Sequence, residues 1–191
     1  MTEDTSKNNA SRYIAVVLAI VIFAFVTISG CTTNKPPEQQ ETLLTVTVGS
    51  QSYNYTLDDL TTLKSITGQG SYINKAGTIT GPNNYTGVTV SVLFSTIPDL
   101  APKYGFQAIA SDNYTVNYSL AAVDGQVPVF NETGSALGTG NMTMLIAYKE
   151  NGVFLNESTK GPLRIVFIDK EGAITQSSLW LSSLVEIQII D

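Results

Sequence analysis

Residues 42–191 predict a mostly-β, α+β single domain, and three observations carry that prediction. Short runs alternate apolar and polar residues. Gly, Pro and Asn break these runs at close intervals. Only a few brief stretches have helical spacing, and no repeat of 20 to 50 residues is present.

The elements follow in order. Leu44-Thr45-Val46-Thr47-Val48 alternates as a half-buried strand does, Gly49-Ser50 turns it, and Ser52 to Leu57 returns as its hairpin partner. Thr56, with Asp59 three residues on, has the form of an N-cap and opens a short helix through Leu60 and Leu63. Residues 65–82 hold Gly68, Gly70, Gly77, Gly81 and Pro82, which predicts strands interrupted by loops. Val88 to Ile97 is apolar at helical spacing and stops at Pro98. Phe106 to Ala110, Tyr114 to Tyr118 and Val127 to Phe130 read as strands. Met142 to Lys149 runs into the hairpin dipeptide Asn151-Gly152, after which Val153-Phe154-Leu155 returns. Leu163 to Ile168 is strongly β-forming, Leu179 to Leu184 reads as a helical turn, and Val185 to Ile190 closes the domain as a strand.

The N-terminal part is an address. Residues 1–30 have the layout of an export signal: polar residues with Lys7 and Arg12, an uncharged apolar segment over 14–28, then Ser29 and Gly30 before Cys31. Small residues before the sole cysteine fit cleavage and attachment of a lipid to Cys31. The alternative is an uncleaved signal anchor, for which the apolar run is slightly short. Either way the bilayer is a partner and the domain lies on the extracytoplasmic face of the cell membrane. Residues 31–41, with Pro36-Pro37, form a flexible linker. Beyond the apolar segment, seven sequons fit the same address, at Asn54, Asn84, Asn113, Asn117, Asn131, Asn141 and Asn156, and make the protein a glycoprotein candidate.

Composition excludes several functions. The net charge is −6, and removing residues 1–30 leaves it at −6, with eight Lys and Arg in no cluster. That argues against nucleic acid. There is no histidine, so the commonest general base and neutral metal ligand are absent. One cysteine allows neither an internal disulfide nor a Cys-rich metal site. Without His or a G-x-S-x-G elbow, a serine hydrolase is unsupported. Asp58-Asp59 is read as helix-start carboxylates rather than a metal pair.

Five ordered pieces resemble one family. They are Asn84-Tyr85-Thr86-Gly87-Val88 with Val92-Leu93-Phe94, and Asp112 to Val116 with Ser119-Leu120. Then come Leu145 to Gly152, Gly161-Pro162-Leu163-Arg164-Ile165-Val166, and Leu179-Trp180-Leu181 before Val185-Glu186-Ile187. Together they resemble the molybdopterin-binding oxidoreductase domain of the sulfite oxidase type. The resemblance implies that fold, a molybdopterin cofactor and a ligand pocket at Tyr85, Tyr148, Arg164 and Trp180. The family binds molybdenum through a cysteine upstream of the aromatic-x-Gly segment, yet Ser71 to Asn84 contains none, and Leu179 stands where a basic residue is expected. Arg164 reads as an anion contact or as the partner of a carboxylate such as Glu186. Trp180, Tyr85 and Tyr148 also fit as core residues.

The expectation is therefore a non-catalytic surface lipoprotein, a cysteine-less variant with no catalytic residue, no metal and no cofactor, binding a small solute or an envelope protein. The alternatives are a genuine oxidoreductase of the sulfite oxidase type and a structural cell-envelope protein.

Overall fold

A computed structural model describes residues 41–100 and 104–190. The apolar segment 14–28, Cys31 and the linker up to residue 40 lie outside the described residues. Among the described residues no helix is long and apolar enough to cross a membrane. Gln40–Asp191 forms one unit by its internal contacts.

Two sheets make up this unit. In the first, β1 (Thr42–Val48) and β2 (Gln51–Thr56) form the expected hairpin, and β1 pairs in parallel with β13 (Leu184–Ile190). β13 then pairs with β5 (Gly105–Ala110), and β5 with β6 (Thr115–Tyr118). The alternation read in the sequence places Leu44 and Val46 inward with Phe106, Ala108, Leu184 and Ile187, all fully buried.

The second sheet is built on β3 (Ser65–Ile73), β4 (Ile79–Thr89) and β9 (Thr143–Glu150), which pair in that order. β9 also receives β10 (Val153–Phe154) and β11 (Arg164–Ile168). Beyond β3 lie β12 (Ile174–Gln176), β7 (Pro128–Phe130) and β8 (Ala136–Thr139). β11 is buried at all five positions. Its end returns to β3 through Gln69 and Asp169, which exchange backbone bonds of 3.0 and 2.9 Å, so the sheet curls on itself. Ile165 and Leu181 exchange bonds of 2.8 and 3.2 Å, which lays the segment before β13 alongside β11.

The short helices are set by their caps. α1 (Leu57–Thr62) has the expected capping box: the Asp59 amide donates to Thr56 Oγ1 (3.2 Å) and the Thr56 amide to Asp59 Oδ2 (2.8 Å). The Thr56 backbone and hydroxyl hold the Asp59 carboxyl below its usual range. α2 covers only Val90–Phe94, because Val88 and Thr89 are held in β4 by pairing with Ile146 and Leu145, and Thr89 caps the helix. α3 (Leu120–Val123), capped by Ser119, is too short to leave a periodic signal.

Three expectations are corrected. Residues 65–82 form two long strands around one turn rather than interrupted pieces. Tyr114 lies outside its strand. The helical turn falls at Ser177–Leu179 instead of Leu179–Leu184, because the Leu181 backbone is committed to Ile165.

Gly87 shows why the aromatic-x-Gly segment needs its glycine. β4 bulges between Thr86 and Gly87, and a Cβ there would collide with the Ile146 carbonyl oxygen and lie 2.7 Å from Ala147 Cα. Backbone is what stands in the way, so no side chain can swing aside. Gly87→Ala is expected to cost about 3 kcal/mol, read as a lower denaturant midpoint at unchanged slope.

Candidate functional site

Strand register brings the site together. Tyr85 on β4 stands opposite Glu150 on β9, and β9 also carries Ala147, the partner of Arg164 at the start of β11. Glu150 is where three donors meet. Arg164 Nη1 donates to Oε2 at 3.2 Å, while Tyr85 Oη and Asn83 Nδ2 donate to Oε1 at 3.0 and 2.8 Å. The Arg164 side chain is 5% exposed and that of Glu150 24%. A buried guanidinium and a carboxylate open to water on one side are thus neutralised inside the protein. Arg164 Nε alone finds no partner among the described residues.

Aromatic rings wall the guanidinium. Its carbon lies 5.6 Å from the Tyr85 ring centre and 5.7 Å from that of Trp180. Trp180 meets Tyr85 edge-on at 5.4 Å and Tyr72 at 5.0 Å. Its indole N–H donates to Thr175 Oγ1 at 2.7 Å, and that hydroxyl donates to the Ser71 carbonyl at 3.3 Å, so the indole is fixed at its polar end. Gly70 makes room for it: a Cβ there would lie 3.0 Å from Trp180 Cη2 and 2.6 Å from the Phe167 carbonyl oxygen.

Burial pushes the Tyr85 hydroxyl up to about 12, with the Arg164 charge opposing the shift. Burial also acts to raise Tyr72, but a hydrogen bond with Thr80 and the charges of Lys160 and Arg164 outweigh it, and its pKa falls below the usual value.

Of the four pocket residues expected from the resemblance, Tyr85, Arg164 and Trp180 come together. Tyr148 does not join them. Its hydroxyl bonds Ser65 Oγ at 2.7 Å and its ring stacks on Phe154 at 6.0 Å. Arg164 takes Glu150 rather than Glu186, whose carboxylate accepts from Thr47 and Gln188. Glu150 and Asn83 were missed, because only the strand register sets them beside Arg164.

Six of the seven sequon asparagines are exposed and Asn131 is half-buried. Asn54, Asn84 and Asn117 lie on strands, whereas Asn113, Asn131, Asn141 and Asn156 lie in turns and connections.

The chain matches no family model and no curated protein. A solved structure similar to it is the sulfane dehydrogenase SoxCD from Paracoccus pantotrophus. The TM-score is 0.58 at 16% identity over 80% of this chain. The match covers 39% of that chain, so this protein spans well under half of its length. The likeness is one of fold. The domain has the mostly-β, sulfite oxidase-like fold that the five sequence pieces resemble.

The residues present do not fit the family's sulfur-ligated metal. The described domain has no thiol, and residues 71–84 at the β3–β4 end offer hydroxyl and amide oxygens, hard donors in place of a soft one. Among the described residues no three His, Cys, Asp or Glu gather as a metal cluster. The guanidinium that a cofactor anion would meet is already engaged by Glu150.

Two outcomes follow. Glu150→Ala leaves Arg164 buried without a counter-charge and is expected to cost about 3 kcal/mol in chemical denaturation, with the Glu150→Leu/Arg164→Met double variant recovering most of it. The second concerns alkaline pH. Below pH 10 the Tyr85 hydroxyl keeps its proton in both states. Between about pH 10 and 12 the unfolded chain releases it and the folded chain does not, so stability falls by roughly 2 kcal/mol across that window. Tyr85→Phe should flatten this fall in a stability-against-pH series.

Proposed function

We propose that this protein is a membrane-anchored extracytoplasmic lipoprotein whose sulfite oxidase-like domain is a non-catalytic binding module. The observation that carries this reading is the internal neutralisation of Arg164. Glu150 takes the guanidinium, and Tyr85 and Trp180 close over it. A residue spent in this way stabilises the fold instead of presenting charge to a cofactor. The missing thiolate supports the same reading.

The address rests on the sequence: an apolar segment over 14–28, small residues before Cys31, and a proline-containing linker. Exposed sequon asparagines fit an extracytoplasmic glycoprotein.

Molybdenum and pterin content of the protein purified from its native membrane tests the non-catalytic half of the proposal. The expected result is neither group at a meaningful fraction of the protein, and near-stoichiometric amounts of both would overturn it. Cys31→Ser tests the anchor: the variant should accumulate as the larger precursor. A variant of mature size that stays in the membrane would rule out attachment through that cysteine.

A further inference from the structure

Three open depressions run in series over the segment that carries Trp180. The first, about 420 Å³, includes Ile73, Phe130 and Gln176 in its lining. The second, about 540 Å³, shares Asn74, Lys75, Ser177 and Ser178 with the first. The third, about 280 Å³, shares Tyr114 and Trp180 with the second and extends to Ser182 and Ser183. Adjacent depressions thus have common walls and form one elongated surface.

This surface sets polar side chains beside aromatic and apolar ones. Gln176, Ser177, Ser178, Ser182 and Ser183 make no side-chain hydrogen bond within the described residues, so their donors and acceptors face outward unspent. Tyr114 is 56% exposed, and Trp180 lies beneath as the buried floor. Charge is sparse. Lys75 and Asp112 are the charged residues of the lining, and Asp112 already accepts from the Tyr114 amide at 3.0 Å.

An anion would find a single lysine here, and an apolar ligand would leave the free hydroxyls and amides unpaired. A ring with hydroxyls on its edge and C–H bonds on its face satisfies both halves of the lining. Length matters too, since three linked depressions suit a chain of such rings. The sequon asparagine Asn113 stands between the lining residues Asp112 and Tyr114, so the surface is tested on protein without N-glycans.

We infer that this surface binds a neutral saccharide chain, with Tyr114 as the stacking platform and Gln176, Ser177 and Ser178 as hydrogen-bonding partners. The inference rests on the binding-module reading and names its ligand class.

Trp180 is the only tryptophan in the chain and is shared by this surface and the Arg164 site, so its fluorescence detects a ligand and the Tyr114 variants assign the signal to this surface. The experiment titrates the full chain in detergent, produced in a host that adds no N-glycans. The probes are maltohexaose, cellohexaose, mannohexaose and chitohexaose. A saturable fluorescence change with at least one of them is expected. Tyr114→Ala should weaken that binding by roughly tenfold or more and Tyr114→Phe should retain it, because the stacking face survives. Lys75→Ala should leave it unchanged.

No response to any of the four, or a response that Tyr114→Ala leaves intact, overturns the assignment. Binding lost with Lys75→Ala but kept with Tyr114→Ala overturns it in favour of an anionic ligand. Pterin content measured on the same preparation separates the two levels. Pterin-loaded protein overturns the non-catalytic reading, whereas pterin-free protein that ignores every oligosaccharide overturns the saccharide alone.

Discussion

Burying a guanidinium is among the costlier things a small domain does, and much of this structure is arranged around having done it. Arg164 begins a strand with no exposed position, so its charge cannot reach bulk water as a surface Arg would. The Glu150 carboxylate beside it is the compensating group, and Asn83 and Tyr85 in turn hold that carboxylate. Tyr85 and Trp180 supply ring faces to the cation. Asn83 and Tyr85 share β4, while Glu150, Arg164 and Trp180 come from β9, β11 and the segment after β12. The pair is in place only when β4, β9, β11 and the segment after β12 are all in register.

That dependence connects fold and function. A buried Arg at the head of an inner strand needs an anion beside it. Here the hairpin end of β9 supplies that anion from within the chain, and the cation becomes part of the core's own bonding. The pairing ties the β9 hairpin to the core and gives the guanidinium its carboxylate from within the domain. The same indole serves both regions: it packs against Tyr85 and Arg164 and also lines the polar depressions.

Much of the strand order was legible because alternation and turn chemistry are local. Leu44 and Val46 announce the inward face of β1, Asn151-Gly152 announces the β9–β10 hairpin, and Thr56 with Asp59 announces α1. What escaped was non-local. β8 is exposed at every position and has no pattern to show. β12 is three residues long and exists because β3 and β7 accept it. Val88 has helical spacing with its neighbours, yet pairing with Ile146 holds it in a strand. The site followed the same rule. Tyr85, Arg164 and Trp180 were found through resemblance, while Glu150 needed the register, and Tyr148 was drawn away by Ser65 and Phe154. A lone apolar, aromatic or charged residue carries no mark in the sequence of the partner it will meet.

The parallel pairing of β1 with β13 sets the order of assembly. β1 is the first described strand to be synthesised, and β13, which lies between β1 and β5 in the finished sheet, is the last. Until β13 emerges, the β1–β2 hairpin and the β5–β6 pair have no common partner, and Val46 and Phe106 have no sheet to join. Completion of this sheet waits for β13, which makes folding slow compared with a domain of local contacts. A polypeptide cut short before β13 would therefore lose the first sheet as a whole and not merely its last strand.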